Sequence, residues 1–324
     1  MILAGDIGGT KTYLALFDEN KNRLEKSREI RFENCRFPDL ESIIEEFLKD
    51  GNEKPEIVSL GVAGPIVDGN CSLTNLDWRI ETGRLKKHFD KVYLINDLVA
   101  MAIAVPYLED KDVTVLQSGL QFKEGSISVV AAGTGLGQAF LIPTGSDDYY
   151  AVDSEGGHVD FAPRNKLETE LLFFLQKKFE RVSVERVVSG PGVIQIFEFV
   201  KKHFYSGVSE DWQKDLQNEE LATEIIRYAV EKKSELCEKT LSIFVELYGA
   251  LAGNLALQFL TKGGVYLGGG IVPRIVPLLE QGVFMQSFLE KGRFKRFLTE
   301  VPVKVILNDR SALLGAAQYA FKHP

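Results

Sequence analysis

Cysteine is scarce: three residues among 324, at positions 35, 71 and 237, with no C-x-x-C pair. An odd number of widely separated thiols builds neither a disulfide framework nor a zinc knuckle. Only 11 prolines are present, which excludes a collagenous or proline-rich chain. Basic charge is also short, with 38 Lys and Arg against 46 Asp and Glu and a formal net charge of −8. Nucleic-acid binders draw much of their affinity from neutralising phosphates. The densest basic run here, Lys291-Gly-Arg-Phe-Lys-Arg296, reads as a solvated helix face, so no nucleic-acid partner is expected. Long apolar runs are missing too. The longest, 127–142, is interrupted by Ser128, Thr134, Gln138 and three glycines and is too short to cross a bilayer. The start, Met1-Ile-Leu-Ala-Gly-Asp6, lacks the basic and apolar regions of a secretory signal. The chain therefore reads as cytoplasmic with no membrane partner, and Asn70-Cys-Ser72 as an accidental glycosylation match.

What is there is the composition of a folded protein: 45% hydrophobic and 26% charged residues, at a length that favours two domains. Strand-like and helix-like segments alternate. Residues 2–4, 12–17 and 23–32 lean to strands, and so do 57–62 and 92–95. Leu40, Ile43, Ile44, Phe47 and Leu48 fall on one helical face, with Pro38 ahead and Gly51 behind. Residues 98–105 form an apolar helix stopped by Pro106. A second series follows, with strands at 127–131, 138–142 and 265–267 and helices at 167–179, 236–260 and 312–321. Gly249 and Gly253, four apart on the long helix, would let a neighbour approach closely, and 206–220 is the best candidate for a surface loop. This alternation implies an α/β fold with a largely parallel sheet.

Two strand–turn–strand units look like one idea used twice. The first turn carries Asp6, Gly8, Gly9 and Thr10; the second carries Gly133, Thr134 and Gly135. Such glycines serve either as plain tight turns or as backbone N–H cradles for phosphate. Neither is a P-loop or a dinucleotide fingerprint, because Thr10 stands where the P-loop needs glycine and no helix pattern follows 133–137. Asn96-Asp97, at a strand end and helix start, suits either an N-cap or a base for a substrate hydroxyl. Glu155-Gly-Gly-His158 pairs an acid and an imidazole across two glycines that would let a ligand near the backbone. Glu185 alone reads as an ordinary solvated acid.

Taken together, Asp6-x-Gly-Gly-Thr10, Asn96-Asp97, Gly133-Thr-Gly135, Glu155-Gly-Gly-His158, Glu185-Arg-Val-Val-Ser-Gly-Pro-Gly192 and Gly268-Gly-Gly-Ile-Val-Pro-Arg274 resemble the bacterial glucokinases in order and spacing. The first block is shared with the wider sugar-kinase, actin and heat-shock ATPase superfamily. A Cys-rich zinc motif after the Glu-x-Gly-His segment is absent, and Lys11 departs from the Asn of several relatives. The resemblance implies an α/β, two-domain ribonuclease-H-like (actin-like ATPase) fold with an interdomain cleft. The smaller domain would hold 1–108 plus 301–324 and the larger 109–300. It implies ATP-dependent phosphorylation of glucose, with Asp97 as catalytic base and Asn96, Asp97, Glu155, His158, Glu185 and Asn75 on the sugar. Gly8, Gly9, Thr10, Gly133, Thr134 and Gly135 would cradle phosphates, Asp6 would face Mg²⁺, and Gly268, Gly269 and Gly270 would wall the nucleoside. A homodimer is expected. Mannose, fructose or an N-acetylhexosamine remain alternative substrates, and a sugar-responsive regulator remains an alternative class.

Overall fold

Alternation along the first two strands sorts their side chains into two cores. In a computed structural model of the chain, Ile2, Ala4, Ala15 and Phe17 face one side of a sheet, while Leu3, Ile7, Leu14 and Leu16 face the other. The structure describes all residues except 22, 50, 52, 74, 75, 121, 123, 146, 147, 207–216 and 324. The chain divides into unit 1, comprising Met1–Asp112, Ala151–Asp153 and Asn308–Pro324, and unit 2, comprising Val113–Tyr150 and Ser154–Leu307.

The strands are β1 (Ile2–Ile7), β2 (Lys11–Asn20), β3 (Arg23–Glu33), β4 (Ile57–Val62), β5 (Ile66–Val67), β6 (Asn70–Ser72), β7 (Arg79–Glu81) and β8 (Lys91–Asn96), then β9 (Val113–Gln117), β10 (Ile127–Ala132), β11 (Leu136–Gly145), β12 (Asp148–Ser154), β13 (Gly264–Gly268) and β14 (Val303–Ile306). The unit 1 sheet runs β3-β2-β1-β4-β8, and the other runs β12-β11-β10-β13-β14-β9. Each begins with an antiparallel meander whose first strand then pairs in parallel with a later one: β1 with β4, β10 with β13. The two hairpins are thus equivalent parts of two sheets of the same order, with β9 added to the second.

In unit 1 the Leu40–Leu48 helix, capped by Asp39, and the small β5-β6-β7 sheet cover one face through Leu40, Phe47, Cys71, Trp78 and Ile80. The short three-stranded sheet carried no sequence signal of its own. The opposite face is covered by the Asp97–Ala104 and Ser311–Lys322 helices through Ala100, Ala312, Leu313 and Ala316. Gly315 makes their approach possible: a Cβ there would lie 1.6 Å from the Ala100 carbonyl oxygen.

The Glu235–Gln258 helix is apolar and long enough to cross a membrane, but most of it is buried as the core helix of unit 2. Gly249 and Gly253 do let a neighbour in. Cβ atoms on them would meet the carbonyl oxygens of Phe284 and Phe288, on the Val283–Leu289 helix, at 2.2 and 2.5 Å. The loop expected at 206–220 lies largely outside the described residues, and its end opens the Asn218–Val230 helix.

Candidate active site

The candidate residues of unit 1 gather at one end of its sheet. Asp6 is the penultimate residue of β1, on the face covered by the two helices, and its Cα partners are Tyr13 on β2 and Gly61 on β4. Asn96 ends β8 and Asp97 opens the helix that follows. Gly61 leaves room for the first turn of that helix, since a Cβ on it would lie 3.3 Å from the Ala100 Cβ. Crevices beyond the C-terminal ends of parallel strands are where open α/β sheets bind ligands.

The cap falls to Asn96. Its Oδ1 accepts from the N–H groups of Leu98 and Val99 at 2.9 and 3.3 Å. Asp97 Oδ1 shares the Leu98 N–H at 2.9 Å, so this carboxylate is oriented by the helix start but is not its cap. Burial pushes the Asp97 carboxyl up to about 6, against the backbone hydrogen bonds that favour its charge. Burial, with the Asp97 charge next in weight, pushes Asp6 up to about 7.

Arg310 opposes the second shift, and no motif announced it. Its Nε donates to Glu29 Oε1 at 2.6 Å, and its guanidinium carbon lies 3.6 Å from the Tyr13 ring centre. Tyr13 is paired with Asp6, so sheet register brings a cation from the far end of the chain to the Asp6 neighbourhood.

Among the described residues, no group of three or more His, Cys, Asp or Glu is placed to hold a metal ion. A magnesium ion asks for less. It commonly takes one or two carboxylates and draws its remaining ligands from water and substrate phosphates. Two desolvated carboxylates, the charge of Asp97 raising the proton affinity of Asp6, beside a glycine-rich turn, fit such an ion.

The candidates of unit 2 surround the end of β10. The turn 133–135 closes by Gly133 N–H donating to the Gly135 carbonyl at 2.9 Å. The Gly190–Phe204 helix begins against it, Gly190 N–H donating to Gly133 O at 2.7 Å. Ser189 caps that helix, taking the Gly192 N–H at 3.1 Å while its hydroxyl donates to Glu185 O at 2.6 Å. Glu185 is therefore no solvated helical acid. It sits in the short Val184–Arg186 turn, and its Oε2 accepts from Leu136 N–H at 2.9 Å. A Cβ on Gly135 would come within 2.9 Å of the same oxygen, so a larger residue there would push the Glu185 carboxylate off the Leu136 N–H.

The Glu155–His158 loop lies on the same strand start. A Cβ on Gly157 would meet the Leu136 carbonyl at 2.2 Å, so the loop packs as closely as bare backbone allows. Both functional side chains of the loop stay open to solvent, Glu155 at 88% and His158 at 57% exposure, with 3.7 Å between carboxylate and imidazole. Arg181 holds the loop's far side, donating to His158 O and Asp160.

Beyond β13, Gly269 takes φ +89°, and a Cβ on it would lie 2.3 Å from the Ala132 carbonyl. Ile271 N–H donates to that same carbonyl, which fixes Gly268–Gly270 next to the 133–135 turn. Asn75 lies outside the described residues. Thus Asp6, Asn96 and Asp97 share one end of the first sheet, and Gly133–Gly135, Glu155, His158, Glu185 and Gly268–Gly270 share one end of the second.

A family model described as Glucokinase matches residues 3–323. A glucokinase of Nostoc punctiforme is 42% identical over 334 aligned positions, covering 98% of both chains. The crystal structure of a glucokinase from an Antarctic psychrotroph superposes with a TM-score of 0.87 at 33% identity, covering 100% of this chain and 99% of that one. A Balamuthia mandrillaris glucokinase, solved in complex with glucose, shares the fold at a TM-score of 0.81 and 21% identity, covering 99% and 93%. Full-length matches of this kind, over a chain whose motifs converge at two sheet ends, place the protein in the glucokinase family, with the two-domain actin-like ATPase fold.

Proposed function

We propose that the protein transfers the γ-phosphoryl group of ATP to the 6-hydroxyl of D-glucose, with Asp97 as the base. The observation that carries this is the division of labour at 96–97: Asn96 satisfies the helix start, leaving an oriented, partly neutralised carboxylate to take a proton. A hexose hydroxyl is too weak an acid to be ionised in advance. Asp97 orients it and accepts its proton as the new O–P bond forms.

Unit 1 supplies this base together with the Gly8–Thr10 turn, whose Gly9 N–H would face the phosphates while the Gly8 N–H closes the turn on Lys11. Asp6 would hold the magnesium ion, which supplies charge neutralisation on the transferring phosphoryl group. Unit 2 supplies the second turn, the Gly268–Gly270 wall, and Glu155, His158 and Glu185 as readers of sugar hydroxyls; Asn96 reads from unit 1 through the amide nitrogen its capping oxygen leaves over. Acids, an amide and an imidazole suit a ligand made of hydroxyls, each a donor and an acceptor. The enzyme works as a cytoplasmic homodimer.

A sugar panel with purified protein, MgATP and coupled ADP detection tests this reading. Glucose should give the highest kcat/KM. A preference of more than about tenfold for mannose, fructose or N-acetylglucosamine, some 1.4 kcal/mol of discrimination, would replace glucose and keep the kinase.

Glu185 also separates the readers. Glu185→Ala removes the acceptor of the Leu136 N–H and with it the support of the 133–135 turn. It should raise KM for both glucose and MgATP, whereas His158→Ala should raise KM for glucose alone. Two-substrate steady-state kinetics on both variants checks this, and an unchanged MgATP constant in Glu185→Ala would confine Glu185 to the sugar.

A further inference from the structure

The Gly8–Thr10 turn is tied down by a residue that belongs to none of the motifs. Asn34 follows β3 and opens the short turn Asn34–Arg36. Its backbone N–H donates to Thr10 O at 3.0 Å, and its side-chain Nδ2 donates to Gly8 O at 2.9 Å. Both ends of the glycine turn are therefore held by one residue, itself only 1% exposed. A third bond, Gly8 N–H to Lys11 O at 3.0 Å, closes the turn on itself.

The direction of these bonds matters. In a trans peptide the carbonyl and the following N–H point opposite ways. With the Gly8 carbonyl drawn toward Asn34, the N–H of Gly9 is turned away from it, toward the open side of the turn. A glycine turn left free would sample many orientations of that peptide, because glycine has the widest backbone range. A cradle for anions needs its N–H groups aimed before the ligand arrives.

Asn34 is an unusual way to hold a strand end. Its Oδ1 is buried with no hydrogen-bond partner among the described residues. Buried polar atoms are nearly always paired, and an exception marks a place where something other than stability decides the residue. An apolar side chain would fill this space without an orphan acceptor, but it could not reach the Gly8 carbonyl.

We propose that Asn34 is a positioning residue for nucleotide binding, holding the Gly8–Thr10 turn with the Gly9 N–H presented to the polyphosphate. The proposal rests on the phosphate reading of that turn. It assigns to Asn34 no contact with substrate, only control of the peptide that makes one.

The test compares Asn34→Asp, Asn34→Ala and, as a control, Cys35→Ser. The aspartate keeps the shape but sets a carboxylate against the Gly8 carbonyl; the alanine removes the amide and keeps the backbone bond. Cys35 is the exposed neighbour in the same short turn. Calorimetric titration with MgADP, without sugar, should show Kd rising about tenfold in Asn34→Asp and somewhat less in Asn34→Ala, as expected for one lost hydrogen bond to a positioned group. Glucose Kd should stay within about twofold, KM for MgATP should rise in parallel with Kd, and kcat should move little. Hydrogen exchange of the 8–11 amides in the nucleotide-free protein should be faster in both variants and unchanged in Cys35→Ser. Where Asn34→Asp melts too low to assay, Asn34→Ser serves in its place. An MgADP Kd within twofold of wild type in a folded variant overturns the proposal, and so do glucose and nucleotide affinities that fall together. A wild-type protein that binds no MgADP would instead sink the cradle reading itself, and this proposal with it.

Discussion

Replacing Asp97 with asparagine should cut kcat by about 10²–10⁴, the range a positioned general base contributes, while glucose binding survives. The fold gives no reason for a broader loss. Asn96 holds the cap, and an asparagine oxygen at 97 can keep the Leu98 N–H that the carboxylate shares. Were Asp97 merely a second cap, the substitution would be nearly silent, because Asn and Asp cap helices about equally well. Glucose calorimetry beside steady-state kinetics separates the two outcomes.

The pH profile adds a signature. With its carboxyl raised to about 6 by burial, Asp97 is protonated in acid, so kcat/KM for glucose should fall below about pH 6. That acid limb should vanish from the residual activity of Asp97→Asn. Stability should move the other way. A carboxyl whose folded pKa lies above its ordinary value of 3.8 favours the folded state only while protonated, and that contribution is lost as pH rises through about 6. The ligand-free Asp97→Asn protein should therefore resist denaturation better than wild type at pH 7 to 8, with the advantage gone near pH 4; equal stability at both ends would contradict the burial of this charge.

The second large effect concerns Gly315. A valine there would drive its Cβ to within 1.6 Å of the Ala100 carbonyl oxygen, a backbone atom in the neighbouring helix that cannot rotate aside. The Ser311–Lys322 helix would have to lift from the Asp97–Ala104 helix, opening the core around Ala100, Leu313 and Ala316. Overpacking costs typically ~1–3 kcal/mol, and backbone contact on this scale belongs at the top of that range or above it. Gly315→Val should lose about 3 kcal/mol or more in urea denaturation, a large part of a domain's usual margin, and most of its activity, because the helix that loses its support begins at Asp97. A denaturation midpoint within experimental error of wild type would show that the two helices can separate freely.

The fold was readable where the signal is local. The helix around Leu40, Ile43, Ile44 and Phe47 rests on a spacing that only one face can bury. Gly249 and Gly253 disclosed close packing because four residues make about one helical turn. The two glycine hairpins disclosed the repeated sheet. What stayed hidden depends on register between distant segments. Arg310 reaches the Asp6 neighbourhood only because β1 pairs with β2 so that Asp6 faces Tyr13, and Asn34 reaches Gly8 only because β3 returns alongside β2. Glu185 looked like any surface acid because its partner, the Leu136 N–H, is a backbone group with no letter in the sequence. At 96–97 the residue pair was legible but the division of roles was not, since either side chain can cap and only the backbone geometry at Asn96 decides.

The packing of the Ser311–Lys322 helix on the Asp97–Ala104 helix has a consequence for how the protein is made. A ribosome adding about 5–20 residues each second delivers Asp97 early and that last helix roughly ten to forty seconds later. Through that interval the nascent sheet lacks half the cover of the face that carries Asp6, and Ile2, Ala4, Ala15 and Phe17 stand partly bare. Meanwhile unit 2, whose strands and helices follow without a later segment to await, can close first. The segment synthesised first would thus be completed last. The emerging polypeptide would be catalytically silent until the Ser311–Lys322 helix docks on that face.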